Sequence, residues 1–165
     1  MKQILGQFAG YPARRGVVEV LLRYGLRVTR DGKIYCAEIE IPPAKIARAL
    51  GVDRRVVIET ARSIAEDAEL LEVFSGLRPT AFIGNGASRL GFDVIEIEAN
   101  SHAPGIVAAV SKIIANAGIS IRQIVADDPD IYPAPRLTVI TEKKIPGEVL
   151  VKLRKIKDIK RISIG

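Results

Sequence analysis

Between Phe92 and Gly165 the apolar pattern switches repeatedly between a two-residue and a helical period, and that succession admits few folds. Phe92-Asp93-Val94-Ile95-Glu96-Ile97-Glu98-Ala99 is rich in β-branched residues and reads as a strand. Asn100-Ser101-His102-Ala103 reads as a loop, and Pro104-Gly105 opens a helix that runs from Ile106 to Ala117. Ile106, Val107, Val110, Ile113, Ile114 and Ala117 then share one helical face, as a helix covering a sheet requires. Gly118 ends it. Strands are expected over 119–125 and 136–141, joined by the stiff acidic stretch Asp127-Asp128-Pro129-Asp130-Ile131-Tyr132-Pro133-Ala134-Pro135. A second helix starts at Pro146-Gly147-Glu148 and carries Val149, Leu150, Leu153 and Ile156, and a last strand covers 159–164. The order is β-α-β-β-α-β. Two right-handed crossovers then put both helices on one face of a four-stranded antiparallel sheet and leave its second face exposed.

The first half reads differently. A helix is expected from Ala13 to Tyr24, with Val17, Val18, Leu21 and Leu22 on one stripe and Gly25 as its stop. Arg30-Asp31-Gly32-Lys33 is a turn signal between Arg27-Val28-Thr29 and Ile34-Tyr35-Cys36-Ala37-Glu38-Ile39, which predicts a β-hairpin. Pro42-Pro43 opens a helix with Ile46, Ala47 and Leu50 on its apolar stripe. Gly51 breaks it, Asp53 caps the next helix, and Val57, Ala61, Ile64 and Ala65 line that helix's inner side. Composition shifts over 75–91, where Ser75-Gly76, Arg78-Pro79 and Gly84-Asn85-Gly86 cluster. The expected organisation is therefore a domain over 1–74, a linker over 75–91 and a second domain over 92–165, in an α+β chain.

Composition narrows the function. No apolar run approaches the roughly 20 residues that span a bilayer, and the N-terminus lacks a signal peptide's apolar stretch, so a cytoplasmic protein with no membrane partner is expected. A single cysteine, Cys36, forbids an internal disulfide. A single histidine, His102, argues against a zinc site of several Cys and His ligands in one chain. Gly84-Asn85-Gly86 is no phosphate-binding motif and no nucleophile-base pair stands out, so neither an enzyme nor a cofactor is expected. The net charge of +6 is uneven: up to Arg62 there are 12 Lys and Arg against 6 Asp and Glu. That excess is compatible with a polyanion partner. Lys152, Arg154, Lys155, Lys157, Lys160 and Arg161 read as a solvated basic face.

Ile46-Ala47-Arg48-Ala49-Leu50-Gly51-Val52-Asp53-Arg54-Arg55-Val56-Val57 resembles the core of bacterial and archaeal helix-turn-helix domains. Ala47 lets two helices cross closely, and Leu50, Val52 and Val57 fill their junction. Leu70-Leu71-Glu72-Val73 would continue into a strand, as winged-helix domains pass into a wing. The resemblance implies that Arg54, Arg55, Glu59 and Arg62 face outward near a DNA groove. A helical hairpin with solvated charges explains the same residues, and both readings stay open.

His102-Ala103-Pro104-Gly105-Ile106-Val107-Ala108-Ala109-Val110, followed by Ala115-Asn116-Ala117-Gly118-Ile119-Ser120-Ile121, resembles the ACT domain, a ferredoxin-like βαββαβ module. His102 stands where an acidic residue is common in that family. The resemblance implies a small-molecule effector, usually an amino acid, held between this loop and a partner copy in a homodimer or higher homo-oligomer. The implied contacts are Asn100, Ser101, His102, Ala103, Pro104, Gly105 and Ile106, with Ile119, Ser120 and Ile121 contributing a wall. A helix-turn-helix-like half joined to an ACT-like half looks like the archaeal ACT-containing regulators of amino-acid metabolism. The implied function is ligand-controlled DNA binding. Two alternatives stand beside it: a regulatory subunit that docks on a biosynthetic enzyme, and a sensor of a metabolite that is not an amino acid.

Overall fold

A computed structural model describes residues 1–165, and the chain divides into two compact units, Met1–Ala81 and Phe82–Gly165. It is a mixed α+β protein with one three-stranded and one four-stranded sheet, both antiparallel. No helix is long and apolar enough to cross a membrane.

In the first unit, α1 (Lys2–Gln7) precedes α2 (Pro12–Tyr24). Val17, Val18 and Leu21 of α2 are fully buried, which is the face its apolar spacing anticipates. Gly25 closes α2 in the left-handed region at φ 61°, and the Leu26 amide reaches back to the Leu21 carbonyl at 2.8 Å. Strands β1 (Arg27–Val28), β2 (Ile34–Cys36) and β3 (Ile39–Glu40) follow in that order across the sheet. The hairpin is present, but the expected single strand over 34–39 is two strands. Ala37 takes a left-handed φ of 51°, the chain reverses through Ala37-Glu38, and Cys36 pairs with Ile39. Arg27 fixes that reversal by donating from Nε to the Ala37 carbonyl at 3.0 Å while lying over the Tyr35 ring.

Helices α3 (Pro43–Leu50), α4 (Arg54–Glu66) and α5 (Ala68–Ser75) complete the unit. The α3–α4 turn is tied by the Val52 amide on the Ala47 carbonyl at 3.0 Å and by the Asp53 carboxylate, which accepts from the Arg55 amide at 2.7 Å. Such a cap contributes about 1 kcal/mol. Val57, Ala61 and Ile64 of α4 are fully buried, as is Thr60, whose hydroxyl is satisfied by the Val56 carbonyl at 2.7 Å. The expected wing strand at 70–73 is corrected: these residues lie in α5. Asp67 caps that helix by accepting from the Leu70 amide at 2.9 Å. Leu70 and Phe74, one turn apart, are its buried side chains, a helical and not an alternating pattern.

The second unit runs β4 (Asp93–Ala99), α6 (Ile106–Asn116), β5 (Ile121–Ala126), β6 (Leu137–Thr141), α7 (Gly147–Arg154), β7 (Ile159–Ile164). The strand order is β5-β6-β4-β7, so each helical crossover skips one strand. Ile95, Ile97, Leu137 and Val139 from the sheet meet Val110 and Ile114 of α6 and Val149 and Leu153 of α7 in one core. Full burial of one such side chain contributes about 1.5–3 kcal/mol. Both helices therefore cover the same face.

The opposite face is not bare, which corrects the expectation. Residues Gly84–Leu90, inside the stretch read as a linker, form a 3-10 helix, and Ala87 from it buries Val94 and Ile140. Glycines gave that stretch the look of a connection, yet Ile83, Ala87 and Phe92 are the apolar residues that cap one end of the sheet.

Candidate functional site

The register of the four-stranded sheet brings one set of chain ends together. Ile97 of β4 pairs with Leu137 at the start of β6, and Leu137 pairs with Ala126 at the end of β5. The β4–α6 loop leaves the sheet at the same end. Between these segments lies an open cleft of about 490 Å3, within the range of small-molecule sites. Its floor is apolar, formed by Ile97, Ala99 and Leu137. One wall is the loop and first turn of α6: Asn100, Ser101, Ala103, Gly105, Ile106, Val107 and Ala108. The other is the base of the β5–β6 connection: Ala126, Asp127, Pro135 and Arg136.

Each wall has a local reason for its shape. The Asn100 amide donates to the Asp158 carbonyl at 3.0 Å, anchoring the loop to the start of β7. The Asn100 side-chain oxygen accepts from the His102 amide at 3.2 Å and its carbonyl accepts from the Ala103 amide at 2.9 Å, so Asn100 holds the loop's bend. Gly105 is the residue before α6 and sits at φ 86° with nothing within 4 Å of where a Cβ would be. A larger side chain there meets no protein atom and would stand at the edge of the cleft that Gly105 lines. The first amides of α6 have no carbonyl one turn back, and the helix dipole adds partial positive charge at this wall. Across the cleft, Asp127 and Arg136 bond to each other twice. The Asp127 amide donates to the Arg136 carbonyl at 2.9 Å, and the Arg136 amide donates to Asp127 Oδ2 at 3.1 Å. Asp128 shapes the connection beyond them, its carbonyl accepting from the Tyr132 amide at 2.9 Å.

Of the residues expected at the ligand, the cleft gathers Asn100, Ser101, Ala103, Gly105 and Ile106. His102 and Pro104 are exposed on the same loop without lining it. Ile119, Ser120 and Ile121 lie at the opposite end of the sheet, where Ile121 pairs with Thr141 and Thr141 with Asp93. Within one chain they do not meet the loop, and Ile119 is buried in the core. Sequence reasoning missed the floor, Val107 and Ala108, and the whole base of the β5–β6 connection, including Asp127, Pro135, Arg136 and Leu137. The signal for the base was present: two strands joined by a connection must pair at its base, which places Asp127 opposite Arg136.

In the first unit, the residues expected at DNA are all on the exposed side of α4. Arg54 and Arg55 occupy its first turn. Glu59 is taken by Arg14 of α2 in an ion pair at 2.7 Å. Arg62 sits beside the β1–β2 turn, sharing a small polar hollow with Arg30, Asp31, Ile58 and Glu66. The turn comes close: a Cβ on Gly32 would stand 3.7 Å from the Arg62 Cα. At that turn the Thr29 hydroxyl bonds the Asp31 carboxylate and, as the largest influence, holds its pKa below the usual value.

No protein-family model matches the chain, and no curated protein matches it. Among solved structures it is similar to one titled "Crystal structure of PH0061", at 11% identity over 92% of this chain and 88% of that one. The TM-score is 0.28, too low to argue fold or function from.

Proposed function

We propose that this protein is a ligand-responsive regulator, with an ACT-like second unit that binds a small molecule and a helix-turn-helix-like first unit that carries the output. The cleft between the Asn100–Ala108 wall and the Asp127–Arg136 base carries the reading. It combines an apolar floor with a few convergent polar groups, the combination that fixes a small ligand's orientation. The βαββαβ order and the β5-β6-β4-β7 arrangement support a ferredoxin-like, ACT-like assignment. The reading assigns binding, not catalysis, to this cleft. An amino acid is the proposed effector, and a homodimer is the proposed form. The α3–α4 pair, with its short turn and capped second helix, supports a DNA-binding output, with Arg54 and Arg55 as its foremost contacts. Effector and output are then linked: a ligand preferring one state of the protein changes its affinity for the partner by its own differential affinity.

One observation favours a protein partner instead. Arg62 lies beside the β1–β2 turn in a hollow that it shares with Asp31 and Glu66, so Arg54 and Arg55, in the first turn of α4, are the cations of that helix clear of the turn. A regulatory subunit docking on an enzyme is therefore the second reading.

Thermal unfolding against a panel of amino acids and related metabolites tests the primary claim. A ligand at about 100 times its Kd adds roughly 2.7 kcal/mol and raises the midpoint visibly. A selective rise supports a sensor; an unmoved midpoint across the whole panel counts against it.

A further inference from the structure

The cleft holds one charge that the protein does not balance. Its two ionised side chains are Asp127 and Arg136. Arg136 has a partner: its guanidinium is bound by Glu96, which does not line the cleft. Asp127 has none of that kind. Its Oδ2 accepts a backbone N–H from Arg136, and no Lys or Arg side chain stands within ion-pairing distance of its carboxylate. That one bond, with the reciprocal bond from its own amide, fixes the orientation of Asp127 and leaves Oδ1 open. Asp127 is half-buried at the edge of an apolar floor. A cation brought there gains more than it would in bulk water, because the surroundings screen less.

We propose that Asp127 is the counter-charge for an ammonium group on the ligand. The cleft then selects zwitterionic amino acids with apolar side chains over the same molecules without the amine. The inference rests on reading the cleft as a ligand site and goes beyond it in naming what selects the ligand. The two ends of the cleft are opposite in charge: Asp127 on one wall, the partial positive charge of the α6 first turn on the other. Ile97, Ala99 and Leu137 lie between them and offer only apolar contact. A zwitterion with an aliphatic side chain satisfies all three. A deaminated acid leaves the carboxylate of Asp127 facing an apolar group.

The test uses the full chain and three probes, L-valine, L-leucine and L-isoleucine, beside their deaminated acids 3-methylbutanoate, 4-methylpentanoate and 3-methylpentanoate. Unfolding midpoints and calorimetric affinities are measured for the wild type, for Asp127→Asn, and for Glu148→Gln as a charge-matched control on α7. At least one amino acid is expected to raise the wild-type and Glu148→Gln midpoints, while its deaminated acid does not. Asp127→Asn retains an oxygen for the Arg136 amide, so its ligand-free midpoint is expected to hold. Its affinity for the amino acid falls by roughly ten- to a hundredfold. Equal binding of amino acid and deaminated acid, or unchanged affinity in Asp127→Asn, overturns the role of Asp127 while leaving the cleft a binding site. Failure of all three amino acids, with a sugar or nucleotide lacking an amine binding instead, overturns this inference and leaves the sensor reading standing. Silence across amines, sugars and nucleotides alike overturns both.

Discussion

Arg14 of α2 holds Glu59 of α4 at 2.7 Å across 45 residues of sequence, and so neutralises one of the acids on the helix's outer side. Both side chains keep solvent exposure, so the pair itself stabilises by less than about 1 kcal/mol. Its consequence is electrostatic. The first turn of α4, with Arg54 and Arg55, becomes the cationic end of the unit's candidate interface.

The double substitution Arg54→Ala/Arg55→Ala therefore separates the two output readings. If α4 meets DNA, the wild type binds genomic fragments in a gel shift with strong salt dependence. Each phosphate contact contributes about 0.9 to the slope of log affinity on log salt, so the variant's slope falls by up to about 2. Wild-type protein that shows no salt-dependent shift favours docking on a protein.

Gly25 and Gly105 both sit at positive φ, and the structure predicts different costs for adding a methyl group. At Gly25 a Cβ would lie 2.2 Å from the Arg78 carbonyl oxygen, a backbone atom that has no rotamer to escape into. Strain and overlap together make Gly25→Ala destabilising by roughly 3 kcal/mol or more. At Gly105 the space is open, so Gly105→Ala costs only the backbone strain, roughly 1–2 kcal/mol. Urea unfolding followed by circular dichroism measures both, and equal losses would contradict the close approach at Gly25.

Asp67 caps the helix that holds residues 70–73, where a strand was expected. Asp67→Ala removes the acceptor for the Leu70 amide and is expected to destabilise the first unit by about 1 kcal/mol, with α5 fraying first in hydrogen exchange. Unchanged exchange at residues 68–75 would contradict the cap.

What could be foreseen and what could not divides along physical lines. In 92–165 every element was legible, most directly where a buried face leaves its period in the sequence: Ile95 and Ile97 for β4, Val110 and Ile114 for α6. The helices α2, α3 and α4 were legible for the same reason, aided by Gly25, Pro43 and Asp53 at their ends. Short elements were not. The reversal at Ala37 depends on a left-handed alanine held by Arg27, a contact that no local pattern encodes. The 3-10 helix at 84–90 was hidden by its glycines, since one alanine, Ala87, carries its burial. Half of the candidate cleft was foreseen from the Pro104-Gly105 turn. Its other half depends on strand register, which puts Asp127 and Arg136 face to face from either end of a long connection.

The hairpin turn should respond to acid. The Thr29 hydroxyl bond is the leading cause that holds the Asp31 carboxyl below its ordinary pKa in the folded protein. A folded value below the unfolded one means that the interaction stabilises above the unfolded pKa and is lost as pH falls through the folded value. An NMR titration is expected to place the Asp31 midpoint below the usual carboxylate range, and Thr29→Val to move it back up. An Asp31 midpoint that Thr29→Val does not move would contradict this.

The cleft beside Gly105 is the proposed small-molecule site of the second unit. Amide chemical-shift mapping with a panel of amino acids tests it residue by residue. Saturable shifts are expected at residues 99–108 and 126–137, abolished in Gly105→Trp while the remaining spectrum stays folded. Shifts confined to other surfaces, or binding retained in full by Gly105→Trp, would contradict it.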